Sequence, residues 1–183
     1  MATADTLLTA EEFLLLADNG QPMELVKGVP VSMNLPTPRH GEICGQTYYL
    51  TRHFLDENPL GRLVTNDSGI LTEHDPDTVR GADIAYYSYN RVPRGPLPQG
   101  YLHVVPELVF EVRSQTDRWS AIQAKVGEYL AAGVTVVCVL DEPTGEAHVF
   151  HADHPPRRYS SDEELTFPDV LPGFRVQVRR FFE

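Results

Sequence analysis

The sequence predicts an α/β domain with a central mixed β-sheet flanked by helices, although the pattern alone also allows an α+β sandwich. Two observations lead to this prediction. Segments whose apolar residues recur with helical spacing precede, interrupt and follow segments rich in β-branched and aromatic residues. One strand segment, Leu108 to Val112, is almost wholly apolar, as expected for a strand covered on both faces. The length of 183 residues, without an internal repeat or linker, fits one domain over residues 1–183.

The N-terminal elements are a short helix and a hairpin. Thr9, followed by Glu12 three positions later, matches a capping box and predicts a helix to about Ala17. Two short strand patterns, Met23 to Val26 and Val29 to Met33, are joined by a Lys-Gly pair that is typical of a tight hairpin turn.

A second helix and two longer strands come next. Apolar residues recur with helical spacing from His40 to about Glu57. The segments Leu63 to Leu71 and Ala82 to Ser88 are rich in β-branched or aromatic residues and are expected to be strands. The segment Arg91 to Gly100 is rich in proline and glycine, which predicts a loop.

The last third contains a strand, a helix and a hairpin. The apolar strand at Leu108 is followed by a helix from about Asp117 to Ala132. Two further strands, Val134 to Leu140 and Ala147 to Phe150, flank a Pro-Thr-Gly turn. The remaining residues are expected to form a short C-terminal cover.

Composition and charge exclude several classes of protein. With 42% hydrophobic and 22% charged residues, the chain is neither disordered nor fibrous. No apolar stretch approaches the ~20 residues of a membrane span and no export signal is recognisable, so we expect a cytoplasmic protein. The net charge of −11 repels nucleic acid at long range, so contact with DNA or RNA must be local. Cys44 and Cys138 fit small buried hydrophobes rather than a disulfide pair.

Three acidic residues lie inside or at the edge of predicted strands, where acids are uncommon: Glu24, Asp83 and Glu111. A buried carboxylate must be paired, bind a metal or lose its charge. Strand alternation places Glu111 on the same face as Arg113, so a structural ion pair between these two residues is one interpretation. The other interpretation is that these acids belong to a functional site.

Lys125 is one of only two lysines in a chain that otherwise uses arginine. It lies at the margin of the apolar face of its helix, so its stem can follow the core while its ammonium emerges near Glu111. Lysine carries a compact charge whose pKa shifts readily, which suits activation of water or neutralisation of charge. The alternative is an ordinary surface lysine. Tyr129, one turn further, either orients Lys125 or belongs to the core.

An aspartate, a glutamate and a lysine at one sheet edge suit metal-assisted hydrolysis of a phosphodiester. Hard carboxylate oxygens hold Mg²⁺, whose other positions take water and phosphate. The metal activates water and offsets the charge of the phosphate, while a lysine orients the water or stabilises the transition state.

A series of motifs along the chain then points to a known family. The motifs are T-x-E-E-F, ELVKG, P-T-P-R-H, G-A-D-I-A-Y-Y-S, P-E-L-V-F-E-V-R-S, K-V-G-E-Y-L-A-A-G-V and L-P-G-F. In this order and spacing they resemble the Uma-two family, which belongs to the PD-(D/E)xK nuclease superfamily and has the restriction-endonuclease-like fold. The resemblance runs from about Leu8 to Phe182 and implies that fold, with a central mixed sheet flanked by helices.

The resemblance also implies the residues of a catalytic site. Glu24, Asp83 and Glu111 match the acidic positions, with Asp83 and Glu111 as the metal ligands. Lys125 matches a lysine that has moved from the strand to the next helix. The implied cofactor is Mg²⁺, with Mn²⁺ as an alternative.

On the substrate side, the resemblance implies that His40 contacts a phosphate. Arg113 stands where a standard E-x-K nuclease has its lysine, and we expect it to bind substrate. The implied activity is endonucleolytic cleavage of DNA by a homodimer. Two alternatives stay open: a non-catalytic binding or regulatory module, favoured by the acidic net charge, and hydrolysis of another phosphodiester such as RNA.

Overall fold

A computed structural model describes residues 7–16 and 20–183. In these residues the helices are α1 (Ala10–Leu14), α2 (Pro38–Glu57) and α3 (Trp119–Ala131), with a 3₁₀ helix at Val178–Phe181. The strands are β1 (Met23–Val26), β2 (Val29–Ser32), β3 (Gly61–Glu73), β4 (Thr78–Ser88), β5 (Leu108–Arg113), β6 (Val136–Asp141), β7 (Glu146–Phe150), β8 (Arg157–Tyr159), β9 (Glu164–Phe167) and β10 (Leu171–Gln177). The predicted central mixed sheet flanked by helices is confirmed.

The main sheet has the strand order β2-β1-β4-β5-β6-β7-β8, and β3 pairs with β4 outside this path. Only β5 and β6 pair in parallel; the other pairs are antiparallel. Strand β4 changes neighbours along its length, because its first half pairs with β1 at Val79 and its second half pairs with β5 from Ile84 onward. A gap between β1 and β5 therefore opens beside the middle of β4.

The core lies on both faces of the sheet. Leu108, Phe110 and Val112 of β5 pack into one cluster with α2 and the C-terminal segments. Val109 packs into the other cluster, beneath α3. The alternation expected for β5 is therefore observed, and it turns Glu111 toward the α3 side of the sheet.

Several element boundaries differ from the sequence predictions. The Thr9 capping box forms as predicted, but α1 ends at Leu14, and the predicted end near Ala17 lies outside the described residues. Helix α2 starts two residues early, at Pro38 behind the N-cap Thr37, because proline is well tolerated at the first helical position.

The C-terminal region contains more strand than expected. Strand β8 extends the main sheet, while β9 and β10 form a separate antiparallel pair. The three residues of β8 are too few to show an alternating pattern, which explains why the sequence predicted only a cover there. Within the described part of the chain, no helix combines the length and apolar character needed to cross a membrane.

Candidate active site in the gap beside β4

The gap beside β4 is closed by side chains instead of a neighbouring strand. The backbone N–H of Gly81 donates to Glu24 Oε1 at 3.1 Å. The Gly81 carbonyl accepts from Lys125 Nζ and from the Tyr129 hydroxyl, each at 3.4 Å. Buried backbone groups need partners, and here β1 and α3 supply them through functional side chains. The fold therefore draws Glu24 and Lys125 to the same point.

Asp83 and Glu111 face the gap from β4 and β5. Asp83 Oδ2 accepts the backbone N–H of Val112 at 2.7 Å, which ties the two diverging strands together. Glu111 Oε1 accepts the Tyr129 hydroxyl at 2.8 Å. A neutral donor thus fixes one oxygen of each carboxylate. The second oxygen of Asp83, Oδ1, lies 3.4 Å from His40 Nε2, and the second oxygen of Glu111, Oε2, lies 3.5 Å from Lys125 Nζ.

Lys125 reaches the gap as the helical wheel predicted. Its Nζ lies 3.0 Å from Glu24 Oε1, and its side chain is only 18% exposed, which rules out the surface interpretation. Burial lowers the pKa of Lys125, but the carboxylates of Glu111 and Glu24 together raise that pKa above its ordinary value. The amine is therefore protonated at neutral pH and acts as a donor and a charge, not as a base.

Glu24 is held by a cation that sequence reasoning missed. Arg80 Nη1 donates to Glu24 Oε2 at 2.7 Å, and Arg80 Nε donates to Glu128 Oε2 at 2.5 Å. Both oxygens of Glu24 are thus occupied by protein donors, one by Arg80 and one by Lys125 and Gly81. Glu24 therefore positions Lys125, while Glu128 on α3 anchors Arg80.

Arg113 does not pair with Glu111, so the interpretation of a structural ion pair between them is wrong. Its Nη1 donates to Asp141 Oδ1 at 2.8 Å, and its guanidinium lies 5.1 Å from the centre of the Trp119 ring. Arg113 is the last residue of β5, and Asp141, the last residue of β6, is its partner in the parallel pairing. The Arg113 side chain therefore turns toward Asp141. Arg113 is not among the residues that line the cavity described next. Its contact with substrate stays a prediction.

A cavity of about 540 Å³ opens over the gap. Its walls include the segment 31–37 between β2 and α2 and one face of α3. Five carboxylates line it against two permanent cations, Arg80 and Lys125; the carboxylates belong to Glu24, Asp67, Asp83, Glu111 and Asp117. An excess of fixed negative charge in a recessed site attracts cations.

Burial and negative neighbours raise the pKa of two of these acids. Burial, assisted by Asp83, raises the pKa of Glu111 to about 7 even though Lys125 opposes the shift. Burial and the neighbouring Asp83 also raise the pKa of Asp67. In both residues burial is the larger cause, and the negative charge of Asp83 adds to it.

Asp67 was missed because it lies in a bulge. The pairing of β3 with β4 shifts between Thr65 and Ser68, and Asp67 adopts a positive φ of 52°. This conformation presses Asp67 against Gly81, where an added Cβ would lie 3.0 Å from the Asp67 Cβ. The Asn-Asp pair inside a strand pattern was the available signal, since both residues disfavour strands and tolerate positive φ.

His40 borders the site from the first turn of α2. Its Nε2 faces Asp83 and its Nδ1 lies 3.5 Å from Cys44 Sγ, one helical turn further along. The hydrogen bond to Asp83 raises the pKa of His40, although burial opposes the shift. Cys44 is partly buried and packs against the core as well as facing His40, and Cys138 is fully buried as expected; the two cysteines form no disulfide.

Asp83 and Glu111 suit the hard divalent ion that the resemblance implies. Each offers a carboxylate oxygen, the ligand type that Mg²⁺ and Mn²⁺ prefer. Each is oriented by a hydrogen bond to its other oxygen, from Val112 and Tyr129, as outer partners of metal ligands usually are. The acidic excess of the cavity would also be relieved by a cation. The residues therefore fit a magnesium or manganese ion.

Comparisons with known proteins agree with this fold. The Uma-two family, described as "Putative restriction endonuclease", matches residues 10–179. The chain is also similar to the crystal structure of "a putative nuclease belonging to DUF820 from Anabaena variabilis", with a TM-score of 0.83 and 16% identity over 96% of this chain and 97% of that one. At this identity the likeness shows the fold alone. A search of curated proteins found no match. Because the family match covers most of its length, this chain belongs to the Uma-two family.

Proposed function

We propose that this protein is a Mg²⁺-dependent endonuclease that hydrolyses phosphodiester bonds of DNA, with Mn²⁺ as an alternative ion. The observation that carries the proposal is the buried, protonated Lys125 held between Glu24 and Glu111 at the mouth of an acidic cavity. A nucleic acid is a polyanion, and a cavity with five carboxylates and two cations repels it. A divalent ion on Asp83 and Glu111 would offset most of this negative excess and place positive charge where the phosphate must sit.

Each residue then has a role that its contacts support. When bound, Mg²⁺ polarises the scissile phosphate and lowers the pKa of water. Asp83 and Glu111 hold the ion, and Lys125 donates hydrogen bonds to the attacking water or to a phosphate oxygen. Glu24 keeps Lys125 in place and protonated, and His40 contacts a phosphate oxygen beside Asp83. In the net reaction the water oxygen bonds to phosphorus, the bond to the sugar oxygen breaks, and one water proton ends on that leaving oxygen.

Cleavage of supercoiled plasmid in the presence of Mg²⁺ tests the proposal. We expect Asp83→Asn, Glu111→Gln and Lys125→Met each to reduce the rate by about 100-fold or more, the loss typical when one group that stabilises the transition state is removed. Lys27→Met is the matched control because Lys27, the second lysine, is exposed in the β1–β2 turn. Unaffected cleavage in any two of the three site variants would refute the mechanism.

The same variants separate the proposal from its alternatives. A non-catalytic module that kept the fold predicts no saturable Mg²⁺ site, whereas our proposal predicts one by calorimetry that disappears in Asp83→Asn. RNA substrates tested in parallel decide between DNA and RNA.

Sedimentation analysis with and without DNA tests the predicted homodimer. Arg113→Met tests whether Arg113 contributes to DNA affinity.

A further inference from the structure

Three potential ligands from two elements meet at the edge of the cavity. Helix α2 carries His40 and Cys44 four residues apart, so both side chains lie on one face of the helix. Asp83 approaches that face from β4, with Oδ1 at 3.4 Å from the His40 ring. One ligand atom from each of the three residues lies within 4.8 Å of the other two. Among the residues that the structure describes, this is the one set of three metal-binding side chains that lies so close together.

From this geometry we propose that His40, Cys44 and Asp83 form a site for Zn²⁺ or a chemically similar ion, and that this site shares Asp83 with the proposed Mg²⁺ site. Ligand atoms around a tetrahedral zinc ion are about 3.3–3.6 Å apart for bond lengths of ~2.0–2.3 Å. The three atoms lie within 4.8 Å of one another, so binding requires the side chains to close by up to about 1.5 Å. His40 and Asp83 line the cavity, so an ion held between them would be accessible from it, as in zinc sites that keep one position open.

The ligand types select the metal. A thiolate with an imidazole and a carboxylate favours Zn²⁺, Co²⁺ or Cd²⁺ over Mg²⁺, which prefers oxygen ligands only. Cys44 is therefore the residue that distinguishes this site from the Asp83–Glu111 pair. The acidic lining of the cavity supplies the negative field that attracts a dication to either site.

The same three residues also resemble a Cys–His–Asp nucleophilic relay, which the surroundings disfavour. A nucleophilic cysteine needs an electropositive environment that lowers its pKa. Here the charged side chain beside His40 and Cys44 is the carboxylate of Asp83, and five carboxylates line the neighbouring cavity, so the surroundings are electronegative. A divalent ion on the sulfur, in contrast, is compatible with an acidic environment.

Sharing Asp83 has a direct consequence. An ion held by Cys44 engages the carboxylate that the Mg²⁺ site requires, so the two ions bind in competition. The inference goes beyond the proposed function, and its central part does not depend on whether the protein cleaves DNA.

Titration of the metal-free, untagged full-length protein with Co²⁺ tests the site. We expect a thiolate-to-cobalt charge-transfer band that saturates at one equivalent and is bleached by one equivalent of Zn²⁺. The band should be lost in Cys44→Ser and retained in Cys138→Ala, since Cys138 is fully buried in β6 away from the site. No band in the wild-type protein, a band that survives in Cys44→Ser, or equal loss in Cys138→Ala would overturn the inference.

A second measurement needs no variant. We expect saturating Zn²⁺ to slow alkylation of Cys44 by at least about tenfold, and the same concentration of Mg²⁺ to have little effect, because only the softer ion binds sulfur. Mass spectrometry of the Cys44 peptide reports the rate. An unchanged rate in Zn²⁺ contradicts the proposal. Neither measurement involves cleavage, so a failed nuclease assay and a failed zinc site are distinguishable.

Discussion

Replacement of Tyr129 by phenylalanine removes a short hydrogen bond to Glu111 at the centre of the site, together with a longer contact of 3.4 Å to the Gly81 carbonyl. The Tyr129 hydroxyl donates to Glu111 Oε1 at 2.8 Å, and both side chains are buried. A hydrogen bond to a charged group contributes about 1.5–3 kcal/mol. For a domain of this size each kcal/mol corresponds to about 2–4 °C in Tm, so Tyr129→Phe should lower the Tm of the metal-free protein by about 3–12 °C at a pH where Glu111 is ionised.

The loss should depend on pH in a defined direction. The pKa of Glu111 is raised to about 7, so the acid is ionised above that pH and neutral well below it. A hydrogen bond to a neutral acid contributes only about 0.5–1.5 kcal/mol, so the effect of Tyr129→Phe should shrink as the pH falls. Urea unfolding above pH 7 and well below pH 7 measures the loss in the free energy of unfolding at each pH. Tyr86→Phe, which alters another buried tyrosine, is the control. An equal loss at both pH values, or the same loss in the control, would refute the assignment.

Three further predictions concern the surroundings of the site. Arg80→Met leaves Glu24 buried without one of its cations and should reduce the free energy of unfolding by about 3–5 kcal/mol, whereas Arg39→Met in an exposed pair should change it by no more than about 1 kcal/mol in denaturant titrations. The raised pKa of Glu111 means that the folded state holds its proton longer than the unfolded chain, so the stability of the metal-free protein should fall between about pH 4.5 and about pH 7. Glu111→Gln should reduce that decline, and the part that remains belongs to Asp67 and His40, whose pKa values are also raised; an identical pH profile in both proteins contradicts the shift. Gly127→Ala adds a Cβ in open space on α3 and should raise the free energy of unfolding by about 0.5–1 kcal/mol without altering cleavage.

The parts of the site that the sequence revealed are those with a local pattern. Glu24 and Glu111 stood out because acids are uncommon in apolar strands, and Lys125 stood out because it lies at the edge of an apolar helical face. These signals depend only on strand alternation and helical periodicity. The structure brings all three residues together, as that reasoning required.

The residues that escaped sequence reasoning depend on long-range pairing. Arg80 lay outside the predicted strand because the apolar pattern of β4 becomes clear only at Ala82, whereas pairing with β3 extends the strand back to Thr78. Asp67 depends on a bulge, whose extra residue is fixed by the partner strand. Tyr129 was correctly placed on the helix, but its hydrogen bond to Glu111 follows from the distance between α3 and β5, which no local pattern encodes.

The register of the parallel pair β5–β6 determines whether Glu111 faces the site. Six consecutive residue pairs fix the register of these two strands, and every residue of β6 is buried. Because side chains alternate between faces, a slip of one residue would turn Glu111 into the aromatic cluster around Phe110 and bring an apolar side chain to the cavity. Misaligned chains would therefore lose the packing of the core together with the arrangement of the site, so a register error would produce a poorly folded protein and not a well-folded one with an incomplete site.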